Sequence, residues 1–170
     1  MELDYRKKKI LTVFGVIVVI ALYLMIFFFS SENGEQSSTV SRFAVTLIKK
    51  TYYFIAGGRK PVVVVDYTDT IPWEAIVRKL AHFTEYFLVG FASLGVYSLW
   101  IKRKQTCLLI GTVQIFLSGI FDEVHQSFIP GRNAAFKDVL IDTAGGMAGA
   151  FFMLLVILLI IKRNKRKKNP

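Results

Sequence analysis

Long apolar runs alternate with short charged ones along this chain. Four runs are long enough to cross a bilayer: Ile10 to Phe29, about Ile76 to Ile101, Cys107 to about Phe128, and about Val139 to Ile161. At roughly 1.5 Å per helical residue, about 20 residues traverse a hydrocarbon core of roughly 30 Å. Each run therefore predicts a transmembrane helix. The first follows Arg6, Lys7, Lys8 and Lys9 as a secretory signal would, but it is longer than the apolar region of a signal. No small-x-small cleavage site follows at Phe29-Ser30-Ser31-Glu32, so the run reads as a retained anchor.

Residues 30–75, between the first two runs, carry a different pattern. The polar stretch SSENGEQSST, from Ser30 to Thr39, predicts a loop. Val40, Phe43, Ala44, Leu47, Ile48 and Ile55 then recur at helical spacing, which predicts an amphipathic helix lying on the outer leaflet or packed on the mouth of the bundle. Gly57-Gly58 would end it, and Pro61 with the β-branched Val62 to Val65 predicts a short extended piece. Thr70 as N-cap, Pro72 in the first turn and Glu74 near the positive helix end predict that the second long helix starts outside the membrane and enters it near Arg78-Lys79. Within that helix Arg78, His82, Glu85 and Val89 share one face, with Leu80, Phe83, Phe87 and Phe91 opposite. The pattern predicts one all-α integral membrane domain over residues 1–170. It is a four-transmembrane-helix bundle with an outer amphipathic segment between helices 1 and 2 and a basic tail at 162–170.

Composition agrees: 54% hydrophobic and 20% charged residues suit an integral membrane protein, not a water-soluble domain. Basic residues set the orientation. Four precede the first helix (Arg6 to Lys9), three join the second and third (Lys102, Arg103, Lys104) and six lie in the tail (Lys162, Arg163, Lys165, Arg166, Lys167, Lys168), 13 of the 22 in the chain. Four crossings put these on one side, which the positive-inside rule makes cytoplasmic, so both termini are expected there. The net charge of +10 is thereby a topology and headgroup signal, with the tail against anionic lipid, and nucleic acid is not expected as a partner. Cys107 is the only cysteine, which excludes an intramolecular disulfide and a cysteine metal cage.

Ionisable side chains inside membrane helices are costly and usually functional. Measured from Lys102, Thr106 and Lys162 as cytoplasmic boundaries, helix rise places Glu85 at roughly 26 Å, His82 and Asp142 at roughly 30 Å, Asp122, Glu123 and His125 at roughly 24–28 Å, and Asp138 at roughly 36 Å. One polar layer at the outer end of the bundle is the prediction. Asp122 with Gln126, and Asp138 with Asp142, are four apart and can each point one way. Gly145 and Gly149, beside Gly146 and Ala150, form a small-residue seam for close helix packing. Lys79, Arg78 and Arg132 are the available cations, and Arg132, in the Pro130-Gly131-Arg132 turn, is best placed to fork onto two carboxylates or an anionic ligand.

Three readings of this layer stay open on the residues alone. It is a salt-bridged cap that fixes packing, a binding or catalytic pocket at the outer leaflet, or a proton or ion pathway, the last with no ionisable residue in the inner half of any span to continue it. In a catalytic pocket His82, Glu85, Asp122 and Glu123 would supply acid–base chemistry, and Lys79, Gln126, Arg132, Asp138 and Asp142 would hold the ligand. No cofactor is expected; a divalent metal on His82, Glu85, Asp122 and His125 is the alternative, since imidazoles with carboxylates suit Zn or Mn. No serine nucleophile elbow and no phosphate-binding glycine loop is present.

Lys79-Leu80-Ala81-His82-Phe83-Thr84-Glu85-Tyr86, continuing to Gly90, resembles the first signature of the VanZ-like membrane proteins. Asp122-Glu123-Val124-His125-Gln126-Ser127-Phe128-Ile129-Pro130-Gly131-Arg132, followed by Asp138 and Gly145, resembles the second. The resemblance covers about residues 75–150 and implies a small multi-pass protein of the bacterial cell membrane. The namesake of the family is associated with low-level resistance to the glycopeptide teicoplanin. The polar positions of the family fall here on Lys79, His82, Glu85, Asp122, Glu123, Gln126, Arg132 and Asp138, while Asp142 stands where the family often has Asn. The expected function is to bind or act on a cell-envelope component through an outer-leaflet pocket. A membrane lipid or lipid carrier, a wall precursor or a lipoglycopeptide would be the partner. The alternatives are a membrane enzyme with a His/Glu/Asp acid–base or metal site, and a non-catalytic assembly partner for envelope proteins.

Overall fold

The computed structural model describes residues 4–55 and 73–168. The Gly57-Gly58 stop, the extended piece expected at Val62 to Val65 and the Thr70 and Pro72 start signals lie outside them. All described elements are helices: α1 (Tyr5–Ser30), α2 (Gly34–Ile55), α3 (Trp73–Trp100), α4 (Lys104–Gln126) and α5 (Phe136–Lys168). By length and composition, three of them, α1, α4 and α5, can cross a membrane. The fourth expected crossing, α3, does not join them, because Arg78, Lys79, His82 and Glu85 dilute its apolar content. Its place in the fold explains that composition. Among the described helices α3 is central and touches each of the other four, α5 most extensively. Protein neighbours can satisfy polar side chains that lipid would leave stranded.

The bundle alternates in direction. Phe27 of α1 stacks on His125 of α4, Lys79 of α3 pairs with Asp138 of α5, and Trp100 Nε1 at the far end of α3 donates to Thr12 Oγ1 of α1 at 2.7 Å. Thus α1 and α4 run one way, α3 and α5 the other. The glycine seam sets the α3–α5 spacing. A Cβ at Gly145 would strike the carbonyl of Phe83, and one at Gly149 that of Phe87, while Gly90 of α3 has no room for one beside the backbone of Gly146. Backbone against backbone is what small residues permit in a membrane, where lipid gives helices no hydrophobic reason to associate. Two small apolar clusters fill the interior, Ile26, Tyr86, Val89 and Ile115 towards one end and Leu94, Cys107 and Ala150 towards the other.

The polar run after α1 differs from expectation. Only a turn separates α1 from α2, and residues 34–39 are already helical. A reciprocal cap starts α2: the Asn33 side chain accepts from the Gln36 N–H at 2.9 Å, and the Gln36 side chain accepts from the Asn33 N–H at 3.3 Å. Polarity alone read as a loop, whereas the Asn-x-x-Gln spacing satisfies the free N–H groups of a helix start. α2 then packs on the mouth of the bundle through buried Ser37 and Ser41, and leaves Phe43, Leu47 and Ile48 exposed.

Candidate functional site

The parallel run of α3 and α5 brings His82 beside Asp142, with Nδ1 to Oδ1 at 3.6 Å. Asp142 is wholly buried, and its side chain packs beside Gly119 of α4. Asp122 of α4, 6% exposed, completes a trio in which one donor atom from each of His82, Asp122 and Asp142 lies within 4.8 Å of the others. Gln126 Nε2 donates to Asp122 Oδ2 at 2.8 Å, one turn along the same helix, and so orients that carboxylate. Both Asp142 oxygens and His82 Nδ1 are buried without a hydrogen bond among the described residues.

The rest of the polar layer divides into other tasks. Lys79 Nζ pairs with Asp138 Oδ1 at 3.3 Å, near the start of α5. Glu123 Oε2 accepts from the Ala135 N–H at 2.7 Å and so ties the approach to α5 back to α4. His125 does not join the trio: its ring lies 4.6 Å, centroid to centroid, from that of Phe27. The expected metal set of His82, Glu85, Asp122 and His125 is therefore not assembled, because the helix turn that points Asp122 inwards points His125 towards α1.

Arg132 also departs from expectation. It forks onto two backbone carbonyls, with Nε donating to Glu32 and an Nη2 hydrogen to Phe29, both at 3.0 Å. Among the described residues no carboxylate receives the fork. The Phe29 carbonyl belongs to the last turn of α1 and also accepts from the Glu32 N–H at 3.3 Å, and the Glu32 carbonyl lies two residues past the helix end. Gly131, at φ +77°, bends the turn so that the Pro130 carbonyl accepts from the Gly34 N–H at 3.2 Å. The Pro-Gly-Arg turn thereby clamps the α1–α2 corner.

Beside the trio lies a cavity of about 250 Å³ beneath α2. His82, Glu85 and Arg78 of α3 line it together with Arg132, and Ser37 and Ser41 of α2 close it from above. Arg78 forms no ion pair among the described residues. Burial and the neighbouring Arg78 both pull Arg132 below the ordinary arginine pKa, while Asp122, Glu32 and Glu123 oppose them. Two guanidinium groups thus crowd one cavity. A second, apolar groove of about 390 Å³ runs between α1 and α3, lined by Leu11, Phe14 and Val18 of α1 and Leu88, Ala92 and Gly95 of α3.

Sequence reasoning held Arg78 only as a spare cation; its place in the heptad-like face with His82 and Glu85 was the available signal. It also missed a hydrogen-bonded chain deeper in the bundle. Tyr97 donates to Gln114, Gln114 Nε2 donates to Tyr23 at 3.0 Å and Ser93 at 3.4 Å, and Tyr23 donates to Ser118 at 3.2 Å. Gln114, an amide in the middle of an apolar helix, marked it.

Antiparallel apolar helices around one buried polar trio define a multi-helix membrane protein with its polar cluster towards one end of the bundle. A family model described as VanZ/LLP1 matches residues 14–160, and the chain belongs to that family. The match runs well beyond the two motifs, from α1 to α5. No curated protein and no solved structure matches.

Proposed function

We propose that this chain is a bacterial cell-membrane protein crossing four times, with both termini cytoplasmic, that binds an anionic cell-envelope amphiphile from the outer leaflet. The headgroup sits in the cavity against Arg78 and Arg132, and the apolar chain lies in the α1–α3 groove. A phosphorylated lipid carrier or a lipid-linked wall precursor has that chemistry, and a lipoglycopeptide such as teicoplanin, with a fatty chain and a carboxylate, shares it. The carrying observation is the alignment of the two spaces. Glu85 lines the polar cavity and Leu88 the apolar groove, three residues apart, about 4.5 Å along α3.

Several features support the crossing of α3. Its C-terminal end lies level with the start of α1, where Tyr5 and Thr12 meet Trp100. His82 and Glu85 on its polar face are partly buried against protein, and the basic clusters then fall on one side. The exposed Phe43, Leu47 and Ile48 of α2 suit the outer leaflet surface.

Binding of a polyprenyl phosphate to the full-length protein in nanodiscs, read by native mass spectrometry against the neutral polyprenol, tests the reading. A charge-assisted hydrogen bond contributes about 1.5–3 kcal/mol, so Arg78→Ala should weaken phosphate-lipid binding about tenfold or more and leave the polyprenol unchanged. Equal affinity for phosphate and alcohol, in wild type and variant alike, refutes it.

A further inference from the structure

We infer that His82, Asp122 and Asp142 form a divalent metal site at the floor of the cavity, of the kind taken by Zn²⁺ or Mn²⁺. The inference concerns the cavity proposed to hold an amphiphile, but it rests on these three side chains whatever the cavity holds.

The first ground is convergence. Three different helices, α3, α4 and α5, each deliver one ligating side chain, and the three donor atoms lie within 4.8 Å of one another. Bonds of about 2.0–2.2 Å to a shared ion put neighbouring ligand atoms about 3–3.5 Å apart. The His82–Asp142 pair stands at 3.6 Å already, and closing the remainder takes less than about 1 Å from each side chain. The second ground is independent of spacing. Asp142 has no exposed surface, and neither of its oxygens accepts a hydrogen bond among the described residues. A buried carboxylate left in that state is costly unless a proton or a cation answers it. His82 Nδ1, at its side, is also buried without a hydrogen bond.

Among the described residues no lysine or arginine comes within ion-pair distance of Asp122 or Asp142, and His82 is their one basic neighbour. Lys79 is engaged by Asp138, and Arg132 is turned to the carbonyls of Phe29 and Glu32. Gln126 already holds Asp122 Oδ2, the outer hydrogen bond that ligating carboxylates characteristically carry. One imidazole with two carboxylates is a nitrogen–oxygen donor set suited to Zn²⁺ or Mn²⁺. The set differs from the one foreseen in the sequence: Asp142 joins His82 and Asp122, and neither Glu85 nor His125 is part of it. His82 lines the cavity whereas Asp122 and Asp142 lie behind it, so an open coordination position would face the cavity, where water or an anionic oxygen would bind.

Tag-free full-length protein in nanodiscs, stripped with chelator, is titrated with Zn²⁺ and Mn²⁺. Bound metal is counted by mass spectrometry, and the unfolding midpoint is followed. About one equivalent per chain and a raised midpoint are expected. Asp142→Asn, isosteric and therefore tolerated by the packing, should weaken binding about tenfold or more and abolish the midpoint rise. His82→Gln should act alike, and Glu35→Gln, exposed on α2, should change nothing. Co²⁺ gives a visible absorption spectrum in the wild type that Asp142→Asn alters. Metal well below one equivalent, or binding equal in wild type and in an Asp142→Asn protein that unfolds at the metal-free midpoint, overturns the site. If polyprenyl phosphate still binds through Arg78 in that case, the trio is held by a proton and the amphiphile reading stands alone. Metal binding without lipid binding retains the site and removes that reading.

Discussion

Arg132→Ala tests whether the Pro130-Gly131-Arg132 turn clamps the corner between α1 and α2. The substitution removes two hydrogen bonds of 3.0 Å, to the carbonyls of Glu32 and Phe29. A hydrogen bond with one charged partner contributes about 1.5–3 kcal/mol net. The bond to Phe29 is exposed, and its carbonyl regains water after the change, so the pair sums towards the low end, about 2–3 kcal/mol. The bond from the Gly34 N–H to the Pro130 carbonyl survives and keeps the turn in place. Arg132→Lys reaches one carbonyl at most and should recover about half of the loss. Unfolding in mixed micelles measures the difference, and limited proteolysis locates it. Cleavage should rise between Ser31 and Gly34, where the corner loosens. An Arg132→Ala protein within about 0.5 kcal/mol of wild type, with unchanged cleavage, would sink the clamp.

Two further outcomes follow from the packing and the topology. Gly149→Leu drives a side chain into the Phe87 carbonyl, so α3 and α5 must part; overpacking of this kind costs about 1–3 kcal/mol or more, read as a lower unfolding midpoint, while Leu159→Ala on the exposed side of α5 should cost far less. Reporter fusions after Lys104 and after Asn133 should be active on opposite sides of the membrane; the same side for both would dismiss the four-crossing arrangement.

Helix existence and extent were legible in the residues. The apolar runs became α1, α3, α4 and α5, with α1 starting five residues early and α5 continuing through the basic tail to Lys168, and the amphipathic segment became most of α2. The start of α2 was hidden in a polar stretch because a capping pair and a loop draw on the same residue types. The polar layer was legible as a height. Its partners were not: His125 and Asp122 share a helix turn, yet Asp122 enters the trio and His125 meets Phe27.

How far along the helix axis each ionisable group sits, and which end of the bundle they share, could be read from the residues, because rise per residue is a local property of the backbone. Which groups face one another could not, because it is a property of helix packing. Azimuth depends on how closely and at what rotation helices pack, and here the Gly90, Gly145 and Gly149 contacts between α3 and α5 set it. That contact seats Asp142 behind His82, leaves Arg132 to the corner of α1, and opens the cavity under α2.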